Sequence, residues 1–139
     1  MIKKLSHMGF AVKDLDAAVR LYHEVFGLQP RHRWHAGDDR MEAVSFQVGD
    51  VEIELMQATS EDSPIARFIA KRGEGIHHVA YKVDDVGEAL QLAAAAGVET
   101  IDKQPRRGGD GKTRVGFLHP KSTMGVLTEL EEDVQHRTS

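Results

Sequence analysis

Hydrophobic and polar side chains alternate near the start of the chain. From Leu5 to Val12, Met8, Phe10 and Val12 share one face of an extended segment, and His7, Gly9 and Ala11 share the other, which predicts a strand. The alternation returns at Ile76 to Val83, where Val79, Tyr81 and Val83 oppose His78, Ala80 and Lys82. The large apolar face of each strand is expected to pack under a helix. The other face, with small residues beside a histidine, is expected to leave a hollow for a ligand.

A run at helical spacing follows each strand. Asp14 is the expected N-cap of a helix whose stripe is Leu15, Ala18, Val19, Tyr22 and Phe26, ended by Gly27. Asp85 precedes Val86, Ala89, Leu90 and Ala93 in the same way, and Gly97 closes that run. Further strands are expected from about Met41 to Val48, Val51 to Gln57, Thr113 to Leu118 and Val126 to Leu130, with weakly marked ones near Arg31 to Trp34 and Glu99 to Ile101. Between the halves, Ser63 as cap and Pro64 at the first helical position predict a short helix.

These elements describe one module written twice. Leu5 to Leu15 reappears with substitutions as Ile76 to Val86, a constant offset of 71, and each copy ends in an apolar run that carries glutamate: Val51-Glu52-Ile53-Glu54-Leu55-Met56 and Gly125-Val126-Leu127-Thr128-Glu129-Leu130. The expected architecture is α+β, with two tandem β-α-β-β-β modules in a single domain spanning residues 1–139. Module one covers about 5–57, a linker helix about 63–72 and module two about 76–131.

The length suits one domain with an ordinary core, whereas a single copy of about 60 residues would be marginal alone. Without cysteine, disulfides and thiolate chemistry are excluded, so any bound metal must be held by nitrogen and oxygen. Matched positions in the two copies offer two imidazoles and two carboxylates, the donor set of a divalent-metal site between repeats. Strand parity selects His78 over His77 for this role and makes His77 a neighbour of the ligand. His23, His32, His35 and His136 are expected at the surface, as are Glu52 and Glu131.

The formal charge is −4, and no basic run or aromatic ladder suggests nucleic acid, so a small-molecule partner is expected. Met1-Ile2-Lys3-Lys4 leads directly into the first repeat and no stretch approaches a membrane span. The expectation is a cytoplasmic protein without a membrane partner.

Several stretches together resemble a known family: His7-Met8-Gly9-Phe10-Ala11-Val12 with Asp14-Leu15-Asp16, Val51 to Leu55, Ser63-Pro64-Ile65-Ala66, Arg72-Gly73-Glu74-Gly75-Ile76-His77-His78-Val79-Ala80, and His119-Pro120-Lys121-Ser122 through Leu130. The paired modules with strand-borne His and Glu resemble the vicinal oxygen chelate superfamily, and these motifs resemble its methylmalonyl-CoA epimerases. The resemblance implies a curved mixed sheet around a metal held by His7, Glu54, His78 and Glu129. It also implies Co²⁺ or Mn²⁺, with Ni²⁺ or Zn²⁺ as further options, and a homodimer acting on an acyl-CoA in propionate metabolism. Position 54 departs mildly, because the family also places glutamine there; a glutamate adds negative charge.

Epimerisation at the carbon between a carboxylate and a thioester needs a proton removed from one face and returned on the other, through an enolate that a metal stabilises. The resemblance maps the two bases onto Glu42 and Glu129. Glu42 also shares a strand face with Val44 and Phe46, an apolar setting expected to raise its pKa. His119, Lys121 and Ser122 form either a tight connection or one wall of the pocket. Arg107, in the basic, glycine-rich loop Gln104 to Arg114, is either solvated or in contact with coenzyme A phosphates. Two other functions use the same scaffold: a glyoxalase-type lactoylglutathione lyase, and a metal-free small-molecule-binding protein. Glu42 with the His-Pro-Lys-Ser segment favours the epimerase, and the His and Glu quartet disfavours metal-free binding.

Overall fold

The opening alternation forms β1, Ile2–Ala11 in this computed structural model, which describes residues 1–36, 38, 40–108 and 111–134. His136 therefore lies outside the described residues, as do Gly109 and Asp110 of the glycine-rich loop. After β1 come α1 (Leu15–Arg20), β2 (Pro30–Ala36), β3 (Met41–Val48), β4 (Val51–Ala58), α2 (Pro64–Arg72), β5 (Gly75–Val83), α3 (Val86–Ala95), β6 (Arg106–Arg107), β7 (Thr113–Leu118) and β8 (Leu127–Asp133). The class is α+β, with a mixed sheet.

The chain divides into two compact units, His7–His78 and Met1–Ser6 with Val79–Ser139, so the boundary runs through β1 and β5. In the first unit the strand order is β2-β3-β4-β1. β1 runs parallel to β4, while β2, β3 and β4 are antiparallel neighbours. α1 covers one face: Leu15 packs on Val44, Phe46 and Leu55, with Phe10, Val12, Ala18, Val19 and Tyr22 around them. On the other face Ala11, Ala43, Met56 and Ile65 form a second cluster, to which α2 adds Phe68 and Ile69. Apolar burial of this kind contributes about 25 cal/mol per Å² and carries most of the unit's stability.

The helix starts follow the sequence. Asp14 accepts from the Ala17 amide at 3.0 Å, Ser63 caps α2 ahead of Pro64, and Asp85 accepts from the Glu88 amide at 3.0 Å. One part of the expected stripe fails. α1 continues from Leu21 to Val25 as a π-helical turn, and the wider turn rotates Phe26 outward, leaving it 56% exposed beside Tyr22.

In the second unit β5 is followed by α3, and β8, β7 and β6 lie side by side as antiparallel neighbours. Val86, Ala89, Leu90 and Ala93 of α3 bury against Val83, Leu118 and Leu130. Gly116 makes this seat: a Cβ there would lie 2.8 Å from a Leu90 methyl. The strand expected near Glu99 to Ile101 is absent; Thr100 makes only an isolated bridge to Leu118, and the short strand appears at Arg106–Arg107 instead. No described helix is long and apolar enough to cross a membrane.

Candidate metal centre

Pleating decides which side chains can meet. On β4 Glu54 stands opposite Gly9 of β1 and opposite Ser45 of β3, so the three share one face of the sheet. His7, two residues before Gly9, belongs to the same face. Its Nε2 lies 3.5 Å from Glu54 Oε2 and 3.2 Å from Nε2 of His78, which arrives on β5. The two imidazoles meet edge to face with centroids 5.2 Å apart, and both residues are buried.

Gly9 is what admits the second ring. A Cβ at that position would lie 2.2 Å from Cε1 of His78, inside the imidazole itself. The hollow expected beside the first histidine is therefore real, and a side chain fills it. His77 Nδ1 lies 3.1 Å from Nδ1 of His78, and its ring packs edge-on against Phe68. His77 thus stands beside His78, as expected of a neighbouring residue.

Burial fixes the protonation state of His78. Desolvation, with smaller contributions from His7 and His77, lowers the His78 pKa from 6.5 to about 3, so the ring is neutral at physiological pH. A neutral imidazole keeps a nitrogen lone pair for coordination. Two buried ring nitrogens beside a carboxylate suit a first-row divalent cation and offer nothing soft enough to select copper(I).

Glu129 is buried on β8, at the end of the second module. An internal correspondence identifies it as the counterpart of Glu54. In the first unit the Leu15 amide, which opens α1, donates to Gln57 Oε1 at 2.6 Å. In the second the Val86 amide, which opens α3, donates to Glu132 Oε1 at 3.0 Å. Gln57 to Glu132 is a step of 75 (132 − 57), and so is Glu54 to Glu129 (129 − 54). Each module thus ends with a residue that holds the helix start, three positions after a glutamate on the opposite strand face.

Glu42 does not join this face. It pairs with Gln57 in the β3–β4 register, in phase with Val44 and Phe46 and out of phase with Ser45 and Glu54. Its carboxylate accepts from Arg33 Nε at 3.0 Å with the side chain 38% exposed, and Arg33 also approaches Asp16 of α1 at 3.7 Å. The strand face was read correctly, but that face belongs to the helix. The expected apolar setting is instead an ion pair with Arg33.

The other expected substrate contacts are engaged locally. His119 Nδ1 accepts from the Lys121 amide at 3.1 Å, Lys121 Nζ pairs with Glu99 at 2.5 Å, and Ser122 Oγ accepts from the Glu99 amide at 3.0 Å. The segment is a stitched turn. Arg107 is exposed on β6. His23, His32 and His35 are exposed as expected.

Glu131, expected at the surface, is 7% exposed. It forms an ion pair with Lys82 and accepts from Ser6 Oγ at 2.8 Å, and Lys82 also reaches Asp133 at 2.6 Å. Burial works to lower the Lys82 pKa, but the hydrogen bonds and charges of Asp133 and Glu131 outweigh it and leave the pKa raised. Lys82 was read only as one of the alternating small-face positions, so the ion pair with Glu131 was not foreseen.

The model of the glyoxalase/bleomycin resistance protein/dioxygenase superfamily matches residues 6–117. The chain belongs to this superfamily. The methylmalonyl-CoA epimerase of Dictyostelium discoideum is 38% identical over 94% of this chain and 79% of its own length. The ethylmalonyl-CoA/methylmalonyl-CoA epimerase of Cereibacter sphaeroides is 36% identical over 95% of this chain and 99% of its own. Among solved structures, a methylmalonyl-CoA epimerase in complex with methylmalonyl-CoA and NH4+ superposes with a TM-score of 0.88 at 33% identity, covering 96% of each chain.

Proposed function

We propose that this member of the superfamily epimerises methylmalonyl-CoA at C2, with a divalent metal ion, Co²⁺ or Mn²⁺ by analogy with its family, held by His7, Glu54, His78 and Glu129. The observation that carries the reading is the convergence of the buried His7 and His78 with the half-buried carboxylate of Glu54, a donor set assembled beside the core. The likeness to epimerases over nearly the whole chain supports the choice of substrate.

A divalent cation bound there supplies positive charge against which the negative charge developing on the substrate's carboxylate and thioester oxygens is stabilised. The chain's own work is to hold and to move a proton. His78, neutral in the buried site, gives with His7 and Glu54 a rigid framework built on strands. Glu129, in the role the resemblance implies, serves as ligand and as the base that removes the C2 proton. The return of a proton on the other face falls to Glu42, the second base that the resemblance implies. Arg107 is assigned to coenzyme A phosphates, and His119, Lys121 and Ser122 to the shape of the acyl pocket rather than to direct charge contacts. A cytoplasmic homodimer serving propionate metabolism completes the reading.

The test is stereochemical. Metal-loaded protein incubated with (2S)-methylmalonyl-CoA should convert it to an equal mixture of epimers, read through an enzyme specific for the 2R form. A lactoylglutathione lyase would leave this substrate untouched and turn over the hemithioacetal of glutathione instead.

A further inference from the structure

Ser45 is the one buried side chain whose polar atom has no hydrogen-bond partner among the described residues. The residue is 1% exposed in the middle of β3, between Val44 and Phe46, and its hydroxyl is therefore withdrawn from water with no return inside the fold. A stability-driven strand would place alanine or valine here. Its position explains the exception: Ser45 is the direct cross-strand partner of Glu54, on the same face. Side chains so paired have Cβ atoms about 4.5–5.5 Å apart, within reach of a hydroxyl and a flexible carboxylate.

We infer that Ser45 is a positioning residue for Glu54: its hydroxyl donates to one carboxylate oxygen of Glu54 when the other oxygen is committed to the metal. This rests on the metal-site reading above. A carboxylate has two oxygens and several lone pairs, and a ligand that turns one oxygen to a cation leaves the second to be satisfied by the protein. Two cross-strand neighbours flank Glu54 on this face. Across β4, the neighbour of Glu54 is Gly9, which has no side chain and whose space is taken by His78, whereas on the β3 side it is the Ser45 hydroxyl. The departure at position 54 and the orphan hydroxyl are then one device. Ser45 orients Glu54 and spreads the additional negative charge that a glutamate brings.

The inference separates from a structural role because it demands opposite effects on the two states of the protein. In metal-free protein Ser45→Ala removes an unsatisfied buried hydroxyl and should raise the melting temperature. In the same variant the dissociation constant for Co²⁺ or Mn²⁺, measured by calorimetry with the metal alone, should rise about tenfold or more. Ser45→Thr, which keeps the hydroxyl, should bind the metal within about threefold of the parent. A Ser45→Ala protein that binds the metal as tightly as the parent overturns the inference while leaving the metal site intact. So does a metal-free Ser45→Ala protein that melts lower, because the hydroxyl then serves the fold. A parent protein that binds neither Co²⁺ nor Mn²⁺ overturns the metal-site reading itself, a result distinct from either of these.

Discussion

Nε2 of His7 lies 3.2 Å from Nε2 of His78, although 71 residues separate them in sequence. The separation equals the repeat offset, so equivalent strands of the two modules deliver the same residue to the same place. Two imidazoles buried at this distance cannot both carry a proton on the facing nitrogens, and desolvation keeps His78 neutral.

The cost of that neutrality appears as pH dependence. In metal-free protein folded His78 stays unprotonated down to about pH 3, while in the unfolded chain it takes up a proton near its ordinary value of 6.5. Between these values the unfolded state binds the extra proton, so stability should rise with pH, by up to about 1.4 kcal/mol per unit from this group. Urea midpoints of metal-free protein from pH 4 to pH 7 measure the slope. His78→Gln should flatten it; a variant as steep as the parent assigns the slope to other groups.

Gly9→Ala places a methyl group 2.2 Å from His78 Cε1, so one of the two must move. The expected result is a loss of about 1–3 kcal/mol of stability from overpacking, together with metal affinity at least about tenfold weaker, as for other disturbances of ligand geometry. Unchanged affinity would mean that His78 coordinates from a different rotamer.

Glu42→Gln and Glu129→Gln should both slow C2 exchange. Glu42→Gln removes the second proposed base and should suppress C2 exchange by about 10²–10⁴ while leaving metal affinity unchanged, because its pair with Arg33 is partly exposed. Glu129→Gln removes the proposed base and should cost about 10²–10⁴ in rate. Rapid chemical quench of C2 exchange would read both, and a fully active Glu42→Gln enzyme would overturn the two-base scheme.

Lys82→Ala strands the buried carboxylate of Glu131, which keeps only the Ser6 hydroxyl among the contacts described above. Breaking a buried pair from one side typically costs about 3–5 kcal/mol, and the part-exposed Lys82 places this variant at the lower end. Thermal melting should show the loss, and replacing both partners by apolar residues of similar volume should recover most of it. An equal loss in the double variant would mean that packing, rather than the stranded charge, sets the cost.

The repeat made the fold legible. Caps at Asp14, Ser63 and Asp85, the parity of both opening strands and the choice of His78 over His77 all follow from local periodicity, which a single sequence displays directly. What depended on register across strands was less visible. Glu42 was one residue out of phase with Glu54, a relation fixed by the tight β3–β4 hairpin and not by either strand alone. Burial of Glu131 likewise depends on Lys82, 49 residues earlier (131 − 82), and Ser45 is an ordinary strand serine until its pairing with Glu54 is known. The π-helical turn at Leu21–Val25 and the displaced short strand at Arg106–Arg107 have no marker in composition.

The most direct measurement is proton NMR of methylmalonyl-CoA in D₂O with metal-loaded protein, repeated after chelation. The account predicts that the C2 proton signal washes out with the metal present and persists after its removal. A C2 proton that survives incubation with loaded protein would contradict enolisation of this substrate.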